Sequence, residues 1–247
     1  MIGNRGQRLS LAALVTSLAL FTTACTGGGS AAPSAPSQIS GLAPAAVVAK
    51  SVEAFGGASS FHVLFSGMSA DLVPSGYDSN VSGPAAAGNF EFAGVAVRVV
   101  RTGAVYFEAP DAAALQLFGL TTHLNGTWFK GSATRFLATN VADSLSLAFW
   151  HQLLDAAGRV SGWSFRRTAP DVVVLAASST RGAEYELTVA NSGKPYPLRL
   201  RMSAGENETR DYRFSEFDHQ VRPSAPAEPI DVDTFSSATP RASVTPR

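Results

Sequence analysis

The stretch Glu184–Met202, with the sequence EYELTVANSGKPYPLRLRM, decides the fold of this chain. Apolar and polar residues alternate on both sides of the Asn191–Gly193 turn, as they do in half-buried β-strands. A short turn rich in Asn and Gly joins strands that run antiparallel. The stretch therefore predicts a β-hairpin with one dry face and one wet face.

The same period of two occurs on both sides of this hairpin. The further predicted strands contain Phe61–Phe65, Phe90–Phe92, Val95–Val99, Val105–Glu108, Thr127–Lys130, Val172–Leu175 and Asp211–Phe214. Many short strands joined by short Gly or Asn turns predict an antiparallel meander.

Three segments have a helical pattern, which makes the fold class α+β. Gly41–Gly57 is Ala-rich, has Pro44 in its first turn and ends on two glycines, and we expect it to lie on the sheet. Pro110–Gly119 is a short candidate. Asp143–Gly158 is a stronger one, with Asp143 or Ser144 as its cap. Its apolar stripe consists of Leu145, Phe149 and Leu153, with Trp150 and Leu154 alongside.

The N-terminus has the pattern of a secretory signal. Arg5 and Arg8 precede an apolar or small run of 13 residues, Leu9–Phe21, which is too short to span a bilayer. Cys25, the only cysteine, follows small residues. This arrangement resembles the lipobox of bacterial lipoproteins, in which the cysteine is acylated on sulfur and becomes the first mature residue. The alternative is an ordinary cleaved signal that ends near a free cysteine, which would leave an odd thiol in an exported protein.

The composition of successive segments predicts the domain organisation. We expect a lipoprotein signal peptide over 1–24, a lipidated flexible tether over 25–40, a folded domain over 41–235 and a disordered tail over 236–247. Lys plus Arg and Asp plus Glu both number 19, so no net charge attracts nucleic acid. A domain without cysteine has neither disulfides nor a thiolate metal site.

No sequence motif indicates catalysis. The chain has no G-x-S-x-G, H-E-x-x-H or P-loop, and its four histidines, His62, His123, His151 and His219, are scattered. We interpret Asp71, Asp78 and Asp111 as loop or cap residues. The sequence thus predicts a protein that is not an enzyme and has no metal or cofactor, although folding could still assemble Ser, His and Asp side chains.

Six short motifs occur in order between residues 42 and 235. They are Ser60–Val63, Val100–Tyr106, Gly126–Lys130, Gly193–Arg199, Phe214–Phe217 and Ile230–Asp231. Behind a lipobox, this series resembles the actinobacterial lipoproteins of the LppX/LprG type, which are related in fold to the periplasmic lipoprotein carrier LolA.

The resemblance implies a strongly curved antiparallel half-barrel with helices packed across its concave face, enclosing an apolar cavity for acyl chains. Family members carry or present triacylated glycolipids and related envelope lipids. The chain would then be held by Cys25 on the extracytoplasmic face of the cell membrane and would bind the acyl chains of lipids or glycolipids. No partner protein is identified. The alternative is a non-enzymatic interaction or signalling lipoprotein that has the same fold and a filled core, because the apolar pattern alone predicts both.

If the cavity exists, its lining should come from the dry faces of the strands and from the Asp143–Gly158 helix, which would act as a lid over them. The candidates are Phe61, Val63, Phe65, Phe90, Phe92, Val97, Val99, Tyr106, Trp128, Leu145, Phe149, Leu153, Tyr185, Leu187, Leu198 and Leu200.

Overall fold

The strands of the described residues form one large β-sheet. The computed structural model describes residues 39–68, 75–92, 94–117, 126–131, 143–205 and 208–235. Cys25, the signal peptide, most of the tether, the tail, Asp71 and His123 lie outside these residues, so the expectations for them stay predictions.

The strands and helices follow one another as a long meander with helical insertions. The strands are β1 (Ser60–Met68), β2 (Gly76–Ser82), β3 (Ala85–Phe92), β4 (Val95–Thr102), β5 (Ala104–Ala109), β6 (Thr127–Gly131), β7 (Ser164–Thr168), β8 (Val172–Ser178), β9 (Glu184–Ala190), β10 (Pro197–Ser203), β11 (Thr209–Ser215) and β12 (Ile230–Asp231). The helices are α1 (Pro44–Gly56), α2 (Ala112–Leu117), α3 (Leu147–Gly158) and α4 (Val232–Phe235).

The sheet is antiparallel and unclosed. Within the described residues, its strand order is β12-β6-β5-β4-β3-β2-β1-β11-β10-β9-β8-β7. Only the short pairing of β12 with β6 is parallel. The outermost strands, β12 and β7, do not pair with each other, so the curved sheet stays open. The predicted antiparallel half-barrel is confirmed, and the predicted Glu184–Met202 hairpin forms β9 and β10.

The two longer helices lie on the same side of the sheet. Helix α1 has Pro44 in its first turn, packs against β9, β10 and α3, and buries Val47, Val48 and Phe55, as predicted. Helix α3 begins at Leu147, because the Ser146 hydroxyl accepts a 3.3 Å hydrogen bond from the Phe149 N–H. The predicted cap at Asp143 or Ser144 is therefore wrong by two or three residues.

The folded part begins before the predicted boundary at residue 41. Ile39 is fully buried, and the Ser40 N–H donates a 3.2 Å hydrogen bond to Oδ1 of Asn191. The Asn191 amide in turn donates to the carbonyls of Ala169 and Pro170 at 3.0 and 3.2 Å. This buried side chain ties three segments together, so Ile39 and Ser40 belong to the domain and not to the tether.

Strand β2 has no counterpart in the sequence prediction. It pairs with β1 and β3 and alternates regularly, with Tyr77, Ser79 and Val81 buried and Asp78 exposed. The interpretation of Asp78 as a loop residue is wrong, because a small polar residue at position 79 masks the apolar alternation. Asp111 does act as a cap, since its carboxylate accepts a 2.9 Å hydrogen bond from the Ala114 N–H.

Candidate functional site

One face of the sheet carries the helices and most of the large apolar side chains; we call it the inner face. Eight of its residues lie in register across β8, β9, β10, β11, β1, β2, β3 and β4, and form what we call the long row. They are Leu175, Leu187, Leu200, Tyr212, Phe65, Tyr77, Phe90 and Val97. All eight are buried. At about 4.8 Å between strands, the long row extends for about 34 Å.

The middle of the long row is aromatic. The ring of Phe65 stacks between those of Tyr212 and Tyr77, with centroids 4.9 and 4.8 Å away, and Phe90 continues the series at 5.1 Å from Tyr77. Burial raises the pKa of both tyrosine hydroxyls, and that of Tyr77 rises well above its ordinary value. The long row is therefore uncharged and largely dehydrated across four neighbouring strands.

A second row lies parallel to the long row. It consists of Phe214, Val63, Ser79, Gly88, Val99, Phe107 and Phe129. Ser79 has a small side chain and Gly88 has none, so the middle of the second row projects less from the sheet than its ends. Strands β2 and β3 approach closely there, as a Cβ added at Gly88 would lie only 2.4 Å from the Ser79 Cβ. The Ser79 hydroxyl is fully buried and has no hydrogen-bond partner among the described residues.

Helix α3 places Trp150 on the inner face, against aromatic residues of β1, β2 and β11. Its indole ring lies 5.9 Å from the ring of Phe61, 5.6 Å from Tyr212 and 5.7 Å from Phe214, and it is nearly perpendicular to all three. Trp150 and Leu154 are fully buried, whereas the predicted stripe residues Phe149 and Leu153 are only half-buried. The inner face of α3 is thus rotated by one residue from the predicted stripe.

Side-chain hydrogen bonds hold the residues that lead into α3. The Trp150 indole N–H donates a 2.7 Å hydrogen bond to the Ser144 carbonyl, and the Arg101 guanidinium donates one of 3.3 Å to the Leu145 carbonyl. Arg101 comes from the inner face of β4, where it pairs with Val105 of β5. The position of the lid helix therefore depends on the sheet beneath it.

Most of the predicted lining residues lie on the inner face. On the strands these are Phe61, Val63, Phe65, Phe90, Phe92, Val97, Val99, Leu187 and Leu200, which are buried, and Tyr185, which is half-buried. Leu145 is fully buried beside the lid, and Leu198 is half-buried at an irregularity in the β9–β10 pairing. Contact of these residues with a ligand stays a prediction.

Tyr106 and Trp128 lie on the opposite face, so their predicted place on the inner face is wrong. Val99 pairs with Phe107, which faces Phe129, and this register turns Tyr106 and Trp128 outward. Both strands carry aromatic residues at successive positions, so alternation did not decide the face. On the outer face, the Arg98 guanidinium lies 5.4 Å from the centre of the Trp128 ring.

The inner face ends in a small, mainly apolar pocket with one ion pair, at the edge of β9, β10 and β11; we call it the mouth pocket. Its volume is 180 Å³, and its walls include Tyr185, Met202, Glu208 and Arg210. Arg210 pairs with Met202 on one side and with Gly67 on the other, one position beyond the long row. Its guanidinium donates a 2.6 Å hydrogen bond to Glu208.

The outer face brings together a Ser, a His and an Asp that the sequence analysis left unconnected. His62 Nε2 lies 2.6 Å from Asp78 Oδ1, and His62 Nδ1 lies 3.1 Å from the Ser215 hydroxyl. A hydrolytic site also needs a cleft and hydrogen-bond donors for an oxyanion. This set lies instead on the open outer face of three adjoining strands, with Asp78 and Ser215 exposed, where β1 is paired on both sides.

A second polar cluster, which we call the clasp, joins the start of β1 to the β9–β10 turn. Asp218 accepts hydrogen bonds from the Tyr196 hydroxyl at 2.6 Å, the Ser59 N–H at 2.9 Å and the Lys194 ammonium at 3.1 Å. The Tyr196 bond above all, with those from Ser59 and Lys194, holds the pKa of the Asp218 carboxyl far below its usual value. The Tyr196 ring stacks on Phe217 at 4.0 Å.

In the described ranges, no group of three or more His, Cys, Asp and Glu residues is arranged to hold a metal ion. Among the same residues, no helix has both the length and the hydrophobicity to cross a membrane.

Comparison with solved structures identifies two lipoproteins with this architecture. LprF from Mycobacterium bovis superposes with a TM-score of 0.54 at 15% identity, covering 78% of this chain and 99% of LprF. The Mycobacterium tuberculosis lipoprotein LppX superposes with a TM-score of 0.50 at 15% identity, covering 72% of this chain and 96% of LppX. This chain has the LprF and LppX fold. The resemblance noted in the sequence is thus confirmed at the level of the LprF and LppX fold. No protein-family model matches the chain, and no curated protein matches it in sequence.

Proposed function

We propose that this protein is an exported, membrane-anchored lipoprotein that binds the acyl chains of lipids against the inner face of its sheet and carries or presents them. The observation that carries the proposal is the long row, an unbroken series of eight buried apolar residues on an unclosed sheet with the LprF and LppX fold. The length of the long row, about 34 Å, exceeds the roughly 15 Å that an acyl chain occupies in one leaflet.

The free energy needed to take a lipid out of the bilayer favours an apolar binding wall over specific polar contacts. Each CH₂ group that leaves the bilayer loses about 0.8 kcal/mol of stabilisation, so a carrier must offer comparable apolar surface. Release of the lipid requires that its cover can move. Helix α3 is the candidate cover, and side-chain hydrogen bonds of Trp150 and Arg101 hold the residues that lead into it.

The lipid anchor would raise the frequency with which this binding surface meets membrane lipids. Acylated Cys25 would hold the domain at the membrane through a short Gly-, Ser- and Pro-rich tether. A tether of about 15 residues has a root-mean-square span of about 20 Å, so the domain would stay close to the lipids it takes up. No chemical step is part of this function, and the Ser215–His62–Asp78 set would have only a structural role.

One observation favours the second candidate, an interaction lipoprotein with a filled core. Trp150 already occupies part of the space above the inner face, where its ring meets Tyr212 of the long row, Phe214 of the second row and Phe61. In this alternative the apolar inner face is simply a packed interior, and a partner would bind elsewhere.

A fluorescence-quenching experiment on Trp150 distinguishes the two candidate functions, because only a lipid carrier would bring acyl chains close to its ring. The full chain with Trp128→Phe and Trp163→Phe keeps only Trp150, and a matched chain with Trp150→Phe and Trp163→Phe keeps only Trp128. A soluble phospholipid with brominated acyl chains should quench Trp150 fluorescence much more than Trp128 fluorescence, and native mass spectrometry should show stoichiometric lipid. No bound lipid and no quenching would support the filled core.

A further inference from the structure

The mouth pocket differs in chemistry from the rest of the inner face. The residues of the long row carry no charge, but one position beyond it Arg210 sits in register with Met202 and Tyr185, which also face inward. A volume of 180 Å³ is below the 300 Å³ or more typical of a whole drug-sized ligand. The mouth pocket is therefore suited to the polar end of a larger molecule.

The guanidinium of Arg210 has N–H donors that its ion pair with Glu208 does not use. Its ion pair with Glu208 uses one nitrogen, and both side chains are more than two-fifths exposed, so water weakens the pair. Arg carries five N–H donors in a planar fork that matches phosphate oxygens. An anion with several oxygens can therefore bind Arg210 in addition to Glu208 or in its place.

Arg210 also faces the tyrosines of the long row. Its positive charge favours ionisation of the Tyr77 and Tyr212 hydroxyls and partly offsets the rise in pKa that burial causes for both. Arg210 is two residues from Tyr212 in β11 and on the same face, so its guanidinium lies at the edge of the long row.

We infer that the mouth pocket binds an anionic, phosphate-bearing lipid head group on Arg210 while the acyl chains of that lipid lie along the long row. This inference rests on the proposed function and narrows its ligand to acidic phospholipids or phosphorylated glycolipids. Neutral lipids with the same chains would bind the wall without a partner for Arg210.

The test is a competition between two lipids with identical acyl chains. The full chain with Cys25→Ser, which has no acyl anchor, is incubated with equal amounts of dioleoyl phosphatidylglycerol and dioleoylglycerol, and bound lipid is counted by native mass spectrometry. A charge-assisted hydrogen bond should favour the phospholipid about tenfold. Arg210→Gln should bring this ratio close to one without lowering total bound lipid.

Two further variants keep the result interpretable. Arg213→Gln on the outer face of the same strand is the matched control and should leave the ratio unchanged, whereas Glu208→Gln should raise it by removing the competing carboxylate. An unchanged ratio in Arg210→Gln, or loss of both lipids from that variant, would overturn the inference. Thermal stabilisation by inorganic phosphate through Arg210 without any lipid preference would also overturn it. Failure of the parent chain to bind either lipid would instead refute the proposed function.

Discussion

The indole N–H of Trp150 donates a hydrogen bond to the carbonyl of Ser144, six residues earlier, and so holds its ring over the middle of the sheet. Trp150→Ala should lower the free energy of unfolding by about 3–5 kcal/mol, because it leaves a large cavity. Trp150→Phe keeps most of the ring contact and should cost about 1–2 kcal/mol for the lost hydrogen bond. Urea denaturation followed by circular dichroism measures both.

Trp163→Phe is the matched control for the lost N–H group. The Trp163 indole nitrogen is buried and has no hydrogen-bond partner among the described residues. Removing that N–H gives up no bond, so we expect the variant to be close to wild type in stability. A loss as large as that of Trp150→Phe would contradict the role given to the Ser144 bond.

Gly88 is required by the close approach of β2 and β3. Alanine there would bring a Cβ to 2.4 Å from the Ser79 Cβ and to 2.5 Å from the Asp78 carbonyl oxygen. We expect Gly88→Ala to cost about 1–3 kcal/mol through overpacking. Gly56→Ala, where no atom lies within 4 Å of the added Cβ, is the control and should be neutral or stabilising in thermal unfolding. Equal melting temperatures for the two variants would contradict this account.

The clasp should make stability depend on acid pH. Folding lowers the pKa of Asp218, so its stabilising contribution is complete above the unfolded value of about 3.9 and is lost as pH falls through the lower folded value. Asp218→Asn should be less stable than wild type at pH 7, and the gap should narrow progressively as the pH falls from 5 to 2. Urea midpoints across this range measure it. Glu91→Gln, which removes an exposed carboxylate on β3, is the control; a gap that stays constant would rule out the clasp as its source.

The Ser215–His62–Asp78 set should not hydrolyse esters. We expect wild type and Ser215→Ala to release nitrophenol from a short nitrophenyl ester at the same rate, because the set has no cleft around it and lies on an open face. His62→Ala serves as a second variant that would remove the base. A rate that falls at least tenfold in both variants would identify a hydrolytic site and contradict the proposed non-catalytic function.

The hairpin of β9 and β10 was predictable because its alternation and turn are local. Strand β2 was not, since Ser79 is small and polar at an inward position that the pattern assigns to an apolar residue. The Ser–His–Asp set also lay beyond sequence reasoning. It depends on the register of β1 with both neighbours, and His62 and Ser215 are 153 residues apart in the chain.

Strands β5 and β6 show a different reason why the sequence pattern did not predict which residues face inward. Tyr106 and Phe107, like Trp128 and Phe129, place aromatic rings on both sides of the strand, so hydrophobicity alone does not choose the inner one. The difference is chemical: the outward rings have polar atoms and Trp128 has a cation over its face, whereas the inward rings are phenylalanines stacked at 5.4 Å. This amphipathic character is the signal that could have assigned the faces.

Neighbouring substitutions on β6 test that assignment directly. Phe129 is fully buried, so Phe129→Ala should lower the free energy of unfolding by about 3–5 kcal/mol. Trp128 is half-buried on the outer face, and Trp128→Ala should cost about 1 kcal/mol, mainly its contact with Arg98. Arg98→Ala in the Trp128→Ala background should then add little, because the two losses share one interaction. The reverse order of Phe129→Ala and Trp128→Ala in urea denaturation would mean that the inner wall is formed by Tyr106 and Trp128 and that the register of β5 and β6 is shifted by one residue.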